Sequence, residues 1–376
     1  MLTASPTASP SRPWPELISE LQALGLRYLD PTGPGLSRAG GAGPSDHKAL
    51  TIAGHTVMVP IFTHASTRSP FSARVSRDGA GATLLFHGET IADISFPKKP
   101  RFYERATAHG VPYWKIATLH GNDVLATTVL QTCVRYGRRE TSCQFCAIGQ
   151  SLAAKTTVPE KTPAMLAEVA RAAVELDSVR HLVMTTGTPS TNDRGAHVLS
   201  DCARAVREVV DLPIQAQCEP PGDFAWFRRL RDAGVDTLGM HLEAVTESVR
   251  RKIMPGKAEV GIATYFDAFE AAVAVFGRGQ VSTYVLAGLG DSREAILDTA
   301  AMLVRIGVYP FVVPFVPIHG TPLEHHPPPP PEFMESVLDE LSRLVSRGGL
   351  SSQSMKAGCG RCGACSSLRA REVPHA

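Results

Sequence analysis

The chain has 376 residues, 43% hydrophobic and 20% charged, with a formal net charge of +2. Such a composition belongs to a globular protein with a sizeable core, and the near-neutral balance excludes a broad basic footprint for nucleic acid. No window approaches the roughly 20 continuous apolar residues of a membrane span, and no basic stretch leads into a long apolar run, so a cytoplasmic protein with no membrane or nucleic-acid partner is expected.

In chain order, residues 1–12 are Ser, Thr, Pro and Ala without periodicity and read as a disordered leader. Leu17, Ile18, Leu21 and Leu24 recur at helical spacing, and a Gly/Pro-rich break follows at 31–44. Segments 49–62 and 82–96 are rich in Val, Ile, Thr and Phe, with Gly54 and Gly88 at turns, so 13–120 is expected to be a small N-terminal α+β accessory unit. From Asp123 the rhythm becomes strand, loop, helix, repeated six times. Strands are predicted at 124–132, 181–186, 213–218, 237–243, 280–286 and 309–316. Helices fall between them near 195–210, 223–233, 262–276 and 293–306, preceded by one capped by Thr162 with Pro163 at its first position. This is the pattern of an α/β fold, a partial (β/α)6 TIM-type barrel over 121–325. Five consecutive prolines at 327–331 form a stiff spacer within a C-terminal cysteine-rich extension, 326–376.

Six of the eight cysteines fall in two tight groups, which in a reducing compartment reads as metal ligation rather than disulfide bonding. Cys133, Cys143 and Cys146 follow the first predicted strand as C-x9-C-x2-C, a set of soft ligands suited to an iron–sulfur cluster with one iron free of protein ligands. Cys359, Cys362 and Cys365 form C-x2-C-x2-C, like the beginning of a ferredoxin run. An auxiliary iron–sulfur cluster, a structural zinc and flexible thiols are the readings of this second trio. The cluster is preferred because structural zinc usually shows four ligands in two pairs. The fourth position is left to substrate, sulfide, water or a side chain such as His375. Strand parity points Gln215, Gln217, Glu219, Gly239, His241 and Glu243 into the lumen, with ordinary strand-end hydrogen bonding as the alternative. It turns Cys218 towards the helices, and Cys202 belongs to a helix core. Arg135, Arg138 and Arg139 either offset the charge of a cluster or form a solvated basic loop.

Cys133, Cys143, Phe145 and Cys146 together resemble a variant of the cluster motif of the radical S-adenosylmethionine (SAM) superfamily, with a first spacing of nine residues where three is usual. Thr185-Thr186-Gly187, Glu243, the Gly288-Leu289-Gly290-Asp291 turn and the run 317–323 are similar to further motifs of its biotin synthase-like branch. Segments 144–151, 218–221 and 358–365 resemble a radical SAM family encoded beside nitrilases. The resemblance implies a 4Fe–4S cluster on Cys133, Cys143 and Cys146, and S-adenosyl-L-methionine positioned by Phe145, Thr185, Thr186, Gly187, Glu243 and Gly288. Lys257 or Arg251 would serve the cofactor carboxylate, since Ala263 and Thr264 stand where relatives carry an arginine. It further implies reductive cleavage to a 5′-deoxyadenosyl radical that abstracts hydrogen from a small or carrier-bound substrate. A reductase or a ferredoxin- or flavodoxin-type donor would supply the electron. The step after abstraction is left between an oxidation or rearrangement and sulfur insertion as in biotin and lipoyl synthases. A non-catalytic iron–sulfur electron carrier and a structural zinc protein are the readings from other classes.

Overall fold

The computed structural model describes residues 12–29, 46–76 and 81–372. The expected leader, apart from Arg12, the Gly/Pro-rich break and His375 lie outside the described residues.

Two sheets organise the chain. The first holds Arg27–Tyr28 (β1), His47–Ile52 (β2), His55–Pro60 (β3), Phe71–Val75 (β4), Gly81–Phe86 (β5) and Glu89–Ser95 (β6), in the order β1-β4-β5-β6-β2-β3. Each strand-rich segment read from the sequence is a hairpin. Its two turn residues, Ala53 with Gly54 and His87 with Gly88, all take positive φ, as two-residue turns matched to the twist of a hairpin require. The helix Trp14–Leu24 lays Leu17, Ile18 and Leu21 on this sheet, against Leu50, Val59 and Phe71. Strand β4 alternates Phe71, Ala73 and Val75 with Ser72 and Arg74 over only five residues, too few to stand out in the sequence.

The second sheet runs Thr118–His120 (β7), Val124–Thr128 (β8), His181–Thr185 (β9), Ile214–Gln217 (β10), Thr237–Gly239 (β11), Val281–Ala287 (β12) and Val308–Pro314 (β13). Its order is sequential from β7 to β13. Strands β8 to β13 are all parallel, and β7 folds back antiparallel on β8. Each parallel strand is followed by a helix: Pro163–Asp177, Ala196–Arg207, Ala225–Asp232, Ile262–Phe276, Arg293–Ile306 and Pro331–Arg347. This is a partial (β/α)6 barrel. At the first helix the Thr162 hydroxyl accepts from Met165 N at 3.3 Å, giving an unpaired first-turn amide its partner.

Strand β11 stops at Gly239, four residues short of the sequence expectation, because the ladder to β12 becomes irregular. Leu242 N donates to the Thr283 hydroxyl at 2.9 Å instead of a carbonyl, and pairing resumes only at an isolated bridge between Glu243 and Val285. Glu243 there takes φ +65°, a left-handed conformation that a side chain adopts at a cost. The parity survives the break: Met240 and Leu242 are buried among the helices, while His241 and Glu243 face inward.

After the helix Pro331–Arg347, the chain returns beneath the barrel, at the end where the parallel strands begin. Gly358 N donates to Nδ1 of His181, the first residue of β9, at 3.2 Å. The hydroxyl of Thr237, the first residue of β11, donates to Ala357 O at 3.2 Å. The same segment is tied to the first sheet and its helix through Met58 N to Ala364 O (2.7 Å), Gln22 Nε2 to Ala364 O (2.9 Å) and Ser19 Oγ to Ser367 Oγ (2.7 Å). Glu372 locks it in place. Its carboxylate accepts from the Tyr309 hydroxyl and from the backbone and hydroxyl of Ser352. Glu372→Ala strands these buried donors and is expected to cost about 2–4 kcal/mol. Chemical denaturation should show the loss, and limited proteolysis should report new cleavage between residues 350 and 372.

Candidate radical and cluster site

The first cysteine trio sits at the opposite end, where the strands finish. The loop carrying Cys133 runs alongside the end of β9: Val134 N donates to Thr188 O at 2.8 Å, and Gly187 N donates to Leu130 O at 2.9 Å. This contact requires glycine, because a Cβ at Gly187 would lie 2.1 Å from Thr132 O. Cys143 and Cys146 share one turn, with Cys146 N on Cys143 O at 3.0 Å. Burial pushes the Cys143 thiol far up, with the Glu243 carboxylate adding to it, and pushes Cys146 up to about 11, with Cys133 and Glu243 contributing. Cys146 therefore lies within electrostatic reach of both Cys133 and Cys143, and Cys143 and Cys146 within that of Glu243.

The loop is held by a buried carboxylate. Glu219, just beyond β10, pairs with Arg135 of the loop, accepts from Arg194 Nη1 at 3.0 Å and from the Thr188 hydroxyl at 2.7 Å. Arg135 is thus committed to Glu219, and Arg138 and Arg139 lie on the surface, so the loop arginines do not turn as a group towards the thiols. From the other side, Gln144 N donates to Ile253 O at 2.8 Å and Gly256 N to Thr141 O at 3.2 Å. That segment also supplies Lys257, whose ammonium donates to Glu243 Oε2 at 2.8 Å. Burial alone would lower the lysine, but the Glu243 carboxylate outweighs it and holds Lys257 charged. Arg251, the other basic residue considered for a cofactor carboxylate, is exposed. Arg250 is fully buried instead and bonds Leu242 O at 2.7 Å and Val260 O at 2.9 Å, stapling the Lys257 segment to the end of β11.

A cavity of about 350 Å³ occupies the lumen. Phe145, Thr185 and Glu243 line its upper part, and Cys359, Cys362 and Cys365 line its floor. The two cysteine-rich segments, over 200 residues apart in sequence, thus face the two ends of one chamber. Between them is a directed set of hydrogen bonds. Tyr284 N donates to His241 Nδ1 at 3.1 Å, which places the ring proton on Nε2. Nε2 then donates to Gln217 Oε1 at 3.0 Å, and the Gln217 amide donates to Gln215 Oε1 at 2.6 Å and to Cys359 Sγ at 3.2 Å. The Tyr284 hydroxyl bonds the same sulfur. Burial, with help from the Lys257 ammonium, pushes His241 down to about 3 and keeps it neutral.

The radical SAM superfamily model matches residues 137–303. That stretch, a little under half of the chain, is similar to a radical SAM domain. The match begins just past Cys133 and includes Cys143 and Cys146. Bacteriochlorophyllide c C-7(1)-hydroxylase of Chlorobaculum limnaeum is 26% identical over 222 residues, covering 54% of this chain and 55% of the hydroxylase. The chain therefore spans about half the length of that curated relative. Among solved structures, methylornithine synthase is similar at a TM-score of 0.47 and 17% identity, over 66% of this chain and 68% of that one. A radical SAM methyltransferase from Sphaerobacter thermophilus is similar at 0.45 and 16%, over 76% and 77%.

Three thiols from one loop, with the aromatic Phe145 among them, stand at the strand ends where barrel enzymes assemble their sites, a donor set apt for an iron–sulfur cluster. Among the described residues, no three His, Cys, Asp or Glu side chains are arranged around a single ion. A cubane instead spreads its thiolate ligands over separate irons. Of the residues expected to hold the cofactor, Phe145, Thr185 and Glu243 line the chamber. Thr186 turns its hydroxyl to Gly187 O, and Gly288, at φ +108°, packs against Pro329 outside it. Asp291 of the same turn accepts from Val245 N and Thr246 N, so it positions the chain after Glu243. Cys202 and Cys218 are buried in the helix-side core. Tyr284 and His120 of the chamber wall escape the sequence reading. Tyr284 shares the inward parity of β12, a usable signal, whereas His120 carries none.

Glu219→Gln removes the charge that holds Arg135 and Arg194 and is expected to destabilise the fold by roughly 3 kcal/mol. In metal-free protein it should also free the loop. The rate of Cys133 and Cys143 alkylation by iodoacetamide, read by peptide mass mapping, is expected to rise several-fold while that of Cys202 stays unchanged.

Proposed function

We propose that this protein is a radical SAM enzyme whose substrate lies in the lumen between two iron–sulfur centres. The observation that carries this reading is the single chamber, lined by Phe145, Thr185 and Glu243 above and by Cys359, Cys362 and Cys365 below. Cys133, Cys143 and Cys146 would hold the first 4Fe–4S cluster, and Phe145, Thr185 and Glu243, which line the chamber, would meet S-adenosyl-L-methionine, with Thr186 and Gly187 shaping the turn behind Thr185 and Gly288 shaping the turn that packs on Pro329. When bound, these groups supply a 5′-deoxyadenosyl radical that abstracts a hydrogen atom from substrate. The protein's own contribution is placement and exclusion. The Glu219 clamp fixes the cysteine loop, the Lys257–Glu243 pair sets one charged wall, and the apolar lining of Leu286, Val313, Phe315 and Ile318 keeps water from the reacting atoms.

An oxidation after hydrogen abstraction is the outcome the second trio supports: Cys359, Cys362 and Cys365 would hold a centre able to take up the electron left on substrate. The name of the hydroxylase relative is in keeping with an oxidative outcome. Sulfur insertion is the second reading, favoured by the direct exposure of the three lower sulfurs to the chamber. A non-catalytic electron carrier predicts no 5′-deoxyadenosine. Anaerobic iron and sulfide counts, followed by a 5′-deoxyadenosine assay after dithionite reduction, test the proposal. Cys143→Ala is expected to abolish 5′-deoxyadenosine formation. Cys362→Ala is expected to lower the iron content yet leave uncoupled cleavage, and an unchanged iron count would remove the second centre.

Hydrogen bonds to a ligand sulfur favour the reduced, more negative cluster. Gln217→Leu, which removes the amide donor from Cys359, is expected to move the midpoint potential of the lower centre to a more negative value in an EPR-monitored redox titration. His241→Leu, which releases the Gln217 amide, should shift it in the same direction by less.

A further inference from the structure

The second trio brings three ligands in seven residues, and the run of sequence around it provides no fourth. The fold provides one. We propose that His120 is the fourth protein ligand of the lower centre, completing a Cys3His set on Cys359, Cys362, Cys365 and His120 Nε2. This rests on reading the second trio as cluster ligands.

His120 is the last residue of β7, the short antiparallel strand added at the edge of the barrel. Its Nε2 lies 3.7 Å from Cys365 Sγ, and its side chain lines the chamber beside all three sulfurs. The turn that follows is built for this approach. Gly121 takes φ +63°, and a Cβ there would lie 3.3 Å from Thr56 Cγ2 and 3.8 Å from Cys362 Sγ. Asn122 then fastens the turn to the first sheet, its amide donating to Thr56 Oγ1 at 2.6 Å and Thr51 Oγ1 at 3.2 Å. His120 and Gly121 therefore approach two of the three sulfurs, Cys365 and Cys362.

Most other polar groups near the trio are engaged; Gln22 Oε1 in the chamber wall is not, but a neutral amide oxygen is a hard donor poorly suited to iron held by thiolates. Gln217 and Tyr284 present N–H and O–H groups to Cys359, His241 uses both ring nitrogens, and His181 Nδ1 takes the Gly358 amide. Glu243 belongs to Lys257 at the far end of the chamber. His47 is the remaining imidazole lining the cavity, and it stands within electrostatic range of His120, so it is the rival the experiment must separate. Ligands of one cluster bind different irons, so seating it turns the imidazole and the Cys365 thiol apart about their side-chain torsions, and the open chamber gives both that freedom. A complete protein ligand set suits electron transfer rather than capture of substrate on an unliganded iron.

The test uses the full chain with Cys133→Ala, Cys143→Ala and Cys146→Ala, so that only the lower centre can form. It is reconstituted anaerobically with iron and sulfide, reduced with dithionite and read by pulsed EPR. The expected result is a strong 14N coupling of a directly bound imidazole, changed to the 15N pattern by 15N-histidine labelling. It should disappear on adding His120→Ala and persist on adding His47→Ala. Full iron and sulfide without that coupling, or a coupling that survives His120→Ala, would overturn the assignment of His120 while leaving the cluster in place. Protein that takes up no iron and sulfide would overturn both. The labelling result on unsubstituted His120 stands even if the His120→Ala chain fails to fold.

Discussion

Six parallel strands do not close a barrel, and the constraint that follows shapes this molecule: a lumen with polar walls must be stoppered by something other than its own sheet. The segment around Cys359 is the stopper. It takes its hydrogen bonds from the first residues of β9 and β11, on His181 and Thr237, and meets the Gln215–Gln217–His241 chain from below. Buried amides and an imidazole are costly unless every donor and acceptor is matched. Here the match is completed by a backbone and a sulfur brought from more than a hundred residues away.

The upper end follows the opposite logic, with charge rather than neutral hydrogen bonds doing the fastening. Two buried carboxylates, Glu219 paired with Arg135 and Arg194 and Glu243 paired with Lys257, flank the first cysteine loop and fix it to β10 and β11. Breaking either leaves a charge stranded away from water, which is why such pairs hold geometry more firmly than their net stabilisation would suggest. The left-handed backbone of Glu243 belongs to this same cluster, where surrounding contacts over-determine one strained residue.

The sequence made the barrel legible because its information is local: a repeated strand–helix rhythm whose first helix is capped by Thr162, a cysteine loop after the first strand, and parity that points Gln217, His241 and Glu243 inward. Both β8 and β11 end four residues before the sequence expectation: beyond β8 the backbone turns to new partners such as Pro159 O, and beyond β11 the Thr283 side chain replaces a carbonyl, changes that periodicity alone cannot register. Arg135 read as a neighbour of the cysteines is in the structure a partner of Glu219, a choice made by a carboxylate 84 residues away. His120 was illegible for the same reason. Nothing near it in sequence resembles a ligand, and only the fold-back of β7 carries it to Cys365.

The distance in sequence between the stopper and the loop above it also orders events in time. Ribosomal synthesis at about 5–20 residues per second separates the emergence of Cys146 from that of Cys359 by on the order of ten seconds or more. Until the later segment arrives, the lumen stands open at its base and the amides of β10 are wetted from beneath. The base of the lumen can therefore be sealed only after every strand of the barrel has been made.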